Sequence, residues 1–372
     1  MTDEQAPGVP ATTASLPPQI VRRNIRNLYF DMGWQGLITA GISTFLSVFL
    51  VRLGASPLLI GLLTSLPALV TLLLSVPLMP LVERRADLVR VVTWTRIGSR
   101  GCFLLIALAP FALTGELLAL APLAITILWG LSAVFSSATT PAWTAVLAEA
   151  VPPRQRATVN GTRWALFSMV TALSSAAFGR LLDAVPFPLN FQLVFLCSFL
   201  AGIVSIYYFD RLRLPEGMRR APRPGSANPL RYTLDLARQS AGHPAFGYFL
   251  LTTFVYRLGL NLPVALFPLY WVDYLHASNT WIGFYTTAAY GTLVLAYFLW
   301  GRAANRYGHR TVLLITSFGL CLHPLLTALV NAPIWLIPVA IVYGTFAAGI
   351  DISFFEGLLE ASPPEQRASF AA

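Results

Sequence analysis

Gly54-Ala55-Ser56-Pro57-Leu58-Leu59-Ile60-Gly61 returns 222 positions later as His276-Ala277-Ser278-Asn279-Thr280-Trp281-Ile282-Gly283. A second pair recurs at an offset of 211: Pro152-Pro153-Arg154-Gln155-Arg156-Ala157-Thr158 and Pro363-Pro364-Glu365-Gln366-Arg367-Ala368-Ser369. All four copies border long apolar segments, so the duplicated unit is a set of apolar helices with its turns. Duplication at this spacing reads as two halves built alike, the pattern of a secondary transporter whose substrate path runs between them.

Composition supports a membrane location. Of 372 residues, 56% are hydrophobic and only 11% charged, with a mean hydropathy of +0.66. A single soluble core could not hide that much apolar surface. The apolar residues fall in blocks of about 20, the length that crosses a hydrocarbon layer of about 30 Å. Ten spans are expected, at roughly 27–51, 57–80, 88–112, 118–145, 159–183, 188–209, 246–271, 281–301, 311–330 and 334–358. The expected fold class is an all-α polytopic membrane protein lying in a lipid bilayer.

The net charge of +9 comes from arginine, because the chain has no lysine. Arg22, Arg23, Arg26, Arg84, Arg85, Arg90, Arg154, Arg156, Arg163, Arg302, Arg306, Arg310 and Arg367 fall on one side, with seven more between 211 and 238. Arg52 and Arg180 stand on the other. This asymmetry places the N-terminus and the central linker in the cytoplasm of a plasma-membrane protein. No basic face is interleaved with exposed aromatics, so nucleic acid is not an expected partner. The expected domains are a disordered tail (1–25), a six-helix bundle (26–209), a proline- and arginine-rich linker (210–245) and a second bundle (246–372).

Two loops carry a more specific signal. Gly301-Arg302-Ala303-Ala304-Asn305-Arg306-Tyr307-Gly308-His309-Arg310 follows the eighth span, and the 222 offset lays it on Met79-Pro80-Leu81-Val82-Glu83-Arg84-Arg85-Ala86-Asp87-Leu88 without a gap. The first copy keeps the acid and base, Glu83 and Arg84, without the glycines. The second keeps Gly301 and Gly308 but has Asn305 where the acid belongs, followed by Arg306 and Arg310. This resembles motif A of the major facilitator superfamily. The resemblance covers nearly the whole chain after residue 25 and implies a fold of two pseudo-symmetric six-helix bundles. It also implies a cytoplasmic gate at Glu83, Arg84, Gly301, Asn305, Arg306, Gly308 and Arg310, in which glycine allows a tight turn and charges latch neighbouring helices. The fourth span lacks the arginine, and the fifth the Gly-Pro pair, of the superfamily's proton-transfer and antiporter motifs. Ten of twelve spans are present: by the 211 offset Ala372 meets Gly161, so the chain stops where an eleventh span is expected, as a fragment of a longer product or a truncated gene would.

Charges within spans are costly, about 2.5–3.5 kcal/mol at mid-bilayer on insertion scales. Arg257 and Asp351 fall at similar depth in the seventh and tenth spans, and the resemblance implies that spans 1, 4, 7 and 10 line the cavity. The two are expected to face it and pair, as a substrate site, as a charge switch that opens and closes with the transport cycle, or as a static ion pair. Arg257 maps by the repeat onto Gln35, and Asp31 lies one turn before Gln35, about 7 Å deep if the span begins near residue 27. Asp31, Gln35, Trp143, Tyr256, Arg257 and Asp351 are the candidate substrate-binding or coupling residues. Trp34, Tyr343 and Phe354 are further aromatics on these spans. Arg96 and Arg100 share a face of the third span; they are expected to line an inner vestibule or to meet acids on the second or sixth, the alternative being Arg100 as a third partner, with Arg257 and Asp351, in a buried network. His323 reads as a packing residue of a lateral helix. Trp271 and Tyr274 read as interfacial aromatics.

Cys102, Cys197 and Cys321 lie apart in apolar runs, so neither a metal nor a disulfide is expected of them. No phosphate-binding loop or H-E-x-x-H is present, and neither a cofactor nor catalysis is expected. The function this implies is secondary active transport of a small organic solute by a monomer, driven by a solute or coupling-ion gradient. The alternative is a non-transporting sensor or lipid-handling protein on the same bundle.

Overall fold

The structure, a computed structural model, describes residues 16–83, 87–112, 119–215 and 244–361. Among these residues, ten helices are long and apolar enough to cross a bilayer. In chain order they are α1 (Pro18–Arg52), α2 (Pro57–Glu83), α3 (Leu88–Ala112), α4 (Ala121–Ala150), α5 (Pro153–Ala184), α6 (Leu189–Asp210), α7 (Phe246–Tyr274), α8 (Asn279–Tyr307), α9 (His309–Leu329) and α10 (Leu336–Ala361). Pro18, Pro57, Pro122 and Pro153 occupy the first positions of their helices. A missing N–H is harmless there, and the fixed φ suits the first turn.

The repeat falls on matched turns. Gly54 (φ 77°) ends α1, and its repeat partner His276 (φ 48°) follows α7. Both adopt the left-handed conformation that lets the chain reverse and enter the next helix, at a cost of about 1–2 kcal/mol for a residue with a Cβ. In the motif-A-like stretch only one glycine makes a turn. Gly308 (φ 83°) separates α8 from α9, whereas Gly301 lies inside α8. The expected loop of ten residues is therefore mostly helix.

The first helix of each half is irregular at the same repeat position. α1 widens into a π-turn at Thr39–Ser43. The 222 offset sets this opposite 261–265, where α7 leaves its regular helix Pro244–Asn261 and passes through a 3-10 turn, Val264–Leu266. It then continues through a second π-turn, Tyr270–Tyr274. Pro263 and Pro268 lack the N–H groups that an unbroken α-ladder would use there.

Within the first half α1 packs on α5 and α6, α3 on α4 and α6, and α2 on α4; within the second, α8 and α9 pack on α10. The longest seam between halves joins α5 to α8. One apolar core, with Phe45 and Phe49 of α1 and Phe191 and Phe195 of α6, is continuous from the first half into the second with Phe267, Trp271 and Ile282. Small residues let the backbones approach. A Cβ at Gly179 would stand 2.6 Å from the Asn279 carbonyl oxygen, and one at Gly283 would collide with the carbonyl oxygen of Ser175.

Candidate functional site

A cavity of 660 Å³ lies between the halves. The first half contributes Ser43, Thr44 and Ser47 of α1, at and just past the π-turn, with Trp164, Phe167 and Ser168 of α5. The second contributes Tyr256, Arg257 and Asn261 from α7 before its break, the tyrosines 285, 290 and 297 of α8, His323 of α9, and Tyr343 and Asp351 of α10. The wall is thus rich in aromatic rings, with hydroxyls at intervals and few charges.

Tyr256, Arg257 and Asp351 are the expected residues that line this cavity. Tyr256 donates to the Ser317 carbonyl oxygen (3.2 Å). The expected contact between Arg257 and Asp351 is not made: no ion pair within 4 Å joins them. Tyr297 donates to the Asp351 carboxylate (2.9 Å), and the Arg257 guanidinium stands over the Phe354 ring, 5.0 Å from its centroid. Each charge is held by its own neutral partner, so the pair is split.

Asp31, Gln35 and Trp143 do not line the cavity. α1 starts at Pro18 rather than near residue 27, which sets Asp31 roughly 20 Å along the helix and inside the first bundle, fully buried. Its carboxylate meets Arg96 Nη1 at 2.7 Å and accepts from Ser205 Oγ at 2.6 Å. Gln35 accepts from Arg100 Nη2 (2.9 Å) and donates to Ser205 (3.2 Å). Arg96 and Arg100 therefore meet α1, not acids on the second or sixth span. Phe209 and Phe103 lie under their guanidinium groups at 4.4 and 4.9 Å. Trp143 does the same for Arg163 at 4.5 Å. Cation–π contact offsets part of the desolvation of three buried arginines. This network fastens α1, α3 and α6 together.

His323 is buried as a packing residue would be, yet it reaches the cavity, with Nε2 2.8 Å from the Tyr285 hydroxyl. Trp271 is no belt residue: it is buried against Phe267 and Tyr285 and forms part of the cavity wall. Tyr274 is exposed as expected.

Sequence reasoning missed the closure at one end of the cavity. Asp183, at the end of α5, accepts hydrogen bonds from the backbone N–H groups of Asn279 (3.0 Å) and Thr280 (2.8 Å) and from Asn279 Nδ2 (2.8 Å). It caps the N-terminus of α8 from the opposite half, satisfying donors a helix start leaves open and placing a negative charge at the positive end of the dipole. Thr287 donates to the Ala172 carbonyl oxygen (2.6 Å) further along the seam, and Phe167 meets Tyr290 edge-on at 6.0 Å. Among the described residues, the hydrogen bonds and ring contacts between halves lie from Phe167–Tyr290 toward this end. Asp183 resembles any interfacial acid in sequence, and its backbone partners carry no side-chain signature.

Of the motif-A-like residues, Asn305, Arg306 and Arg310 are exposed, and Arg306 lies over its neighbour Tyr307. Glu83 closes α2; its side chain and Arg84 lie outside the described residues.

No curated protein matches this sequence. Solved structures match in fold: a bacterial homologue of the iron transporter ferroportin in an inward-facing state (14% identity, 96% of this chain and 88% of that one, TM-score 0.68), the nucleoside transporter NupG (15%, 94% and 86%, 0.67), and a bacterial homologue of the human lysosomal transporter Spinster, inward-facing (15%, 96% and 78%, 0.65). At such identities the likeness is one of fold. A sequence model of the Major Facilitator Superfamily matches residues 32–372, and the chain, a multi-pass membrane protein with this architecture, belongs to that superfamily of transporters.

Proposed function

We propose that the protein is a secondary active transporter that moves a small organic solute by alternating access, its two bundles (26–209 and 246–372) rocking about the cavity. The observation that carries this is a cavity walled by both halves and shut at one end by the α5–α8 seam. A cavity of 660 Å³ falls in the range of small-molecule sites. Broken leading helices at such a site are what alternating-access proteins use to present polar groups at mid-membrane.

Arginine asymmetry supports a plasma-membrane orientation with the N-terminus and residues 210–245 in the cytoplasm. The Asp183–Asn279 end then faces outward, and the conformation is open toward the cytoplasm. The test is counterflow in proteoliposomes, using labelled sugars, nucleosides, amino acids, organic cations and organic anions. Saturable exchange of at least one class, blocked by a bulky maleimide on Trp164→Cys, is expected. Absence of exchange for every class by folded protein contradicts the reading.

A further inference from the structure

The lining of the cavity contains one carboxylate and one guanidinium among its described residues, Asp351 and Arg257, with His323 turned to Tyr285. The charges balance but do not meet. The Asp351 carboxylate can accept about four hydrogen bonds and accepts one, from Tyr297. The Arg257 guanidinium has five donors, and no described acceptor takes any of them; it rests on the Phe354 ring. Asp351 and Phe354 are three residues apart on α10, roughly 4.5 Å along the axis. The guanidinium thus rests on a ring about one turn along α10 from Asp351, and no ion pair joins the two charges.

We propose that the substrate is a small zwitterion with an apolar or aromatic body, of the amino-acid type: its carboxylate on Arg257, its ammonium on Asp351, and its body against Tyr256, Tyr290, Tyr343 and Phe167. This deepens the transport reading above and rests on it. A solute with a single charge would satisfy one pole and leave the other unpaired once the halves close over the site, where an uncompensated charge is expensive. A neutral solute would leave both. A zwitterion satisfies the two together, and the planar fork of arginine suits a carboxylate bidentately. Tyrosine and phenylalanine faces supply apolar area and attract the ammonium through their negative π-surface.

The test is melting of the full chain in detergent, read against the common amino acids and, for each that binds, three derivatives: the N-acetyl acid (anion), the amide (cation) and the N-acetyl amide (neutral). Sugars and nucleosides complete the panel. The expected result is that at least one amino acid raises Tm and that each of its derivatives binds about ten-fold or more weakly, a loss of about 1.4 kcal/mol. In Arg257→Gln the amide should bind as well as the amino acid. In Asp351→Asn the N-acetyl acid should. Derivatives that bind wild-type protein as tightly as the parent overturn the proposal even if neither variant folds. So does a panel in which only sugars, nucleosides or singly charged solutes bind, and that result leaves the transport reading standing. Folded protein that neither binds nor exchanges any class removes both.

Discussion

Asp183 of the first half caps α8 of the second, its two carboxylate oxygens taking the backbone N–H groups of Asn279 and Thr280 at 3.0 and 2.8 Å. The cap is part of the joint between halves and exists only while they touch at this end. Helix start and closure are thereby coupled. Loss of an N-cap costs about 0.5–2 kcal/mol, so Asp183→Ala should shift the balance toward the open end by about 2- to 30-fold. Distances between spin labels at Pro186 and His276, measured by pulsed dipolar spectroscopy, should gain a longer population. An unchanged distribution would show that the cap does not set the balance.

Gly283→Ala gives a second handle on the seam. Alanine improves helix propensity by about 1 kcal/mol, so α8 itself gains. The added methyl nevertheless meets the carbonyl oxygen of Ser175, which is backbone and cannot swing aside. Helix content by circular dichroism should hold while counterflow falls at least ten-fold. Full exchange by this variant would show that the seam need not close this tightly.

Asp31→Ala should behave as a stability variant. It strands Arg96, whose Nη1 lies 2.7 Å from the carboxylate, inside the bundle. Breaking a buried pair from one side costs about 3–5 kcal/mol, visible as a large fall in Tm in mild detergent. The double change Asp31→Leu with Arg96→Met should recover most of the loss, since both charges leave together. Failure of the double variant to recover would show that the pair does more than fasten α1 to α3.

Cysteine labelling tests orientation. Ala227→Cys should resist a membrane-impermeant maleimide in intact cells, and Ala119→Cys should react. The reverse pattern would invert the cytoplasmic assignment and, with it, the face to which the cavity opens.

The ten spans, the matched turns at Gly54 and His276, and the cavity positions of Tyr256, Arg257 and Asp351 were legible in the sequence. Duplication and membrane-length apolar runs survive any rotation of a helix about its axis. The placements of Asp31, Gln35 and Trp143 depend on that rotation. Trp143 lies on α4, which is apolar on nearly all sides and so offers no face to orient it, and the true start of α1 at Pro18 changed the depth of Asp31 and Gln35. The tyrosines 285, 290 and 297 of α8 carry no signal of a cavity position, since the resemblance gives the cavity wall to spans 1, 4, 7 and 10. The stagger of α8 against α5, set by Gly179 and Gly283, brings it to the cavity edge.

The π-turn at Thr39–Ser43 divides α1 into two segments with separate duties. Before it, Asp31 and Gln35 face the interior of their own bundle; at its end and beyond, Ser43, Thr44 and Ser47 face the cavity. A π-turn is one residue more than the α-ladder accommodates, and each residue of an α-helix turns the chain by about 100°. The extra residue therefore fixes the angular phase between a fastening end and a solute-facing end. Removing one residue from Thr39–Ser43 would restore a regular ladder and swing one end relative to the other by that angle, so that Asp31 could keep Arg96 only if the serines and Thr44 turned out of the cavity.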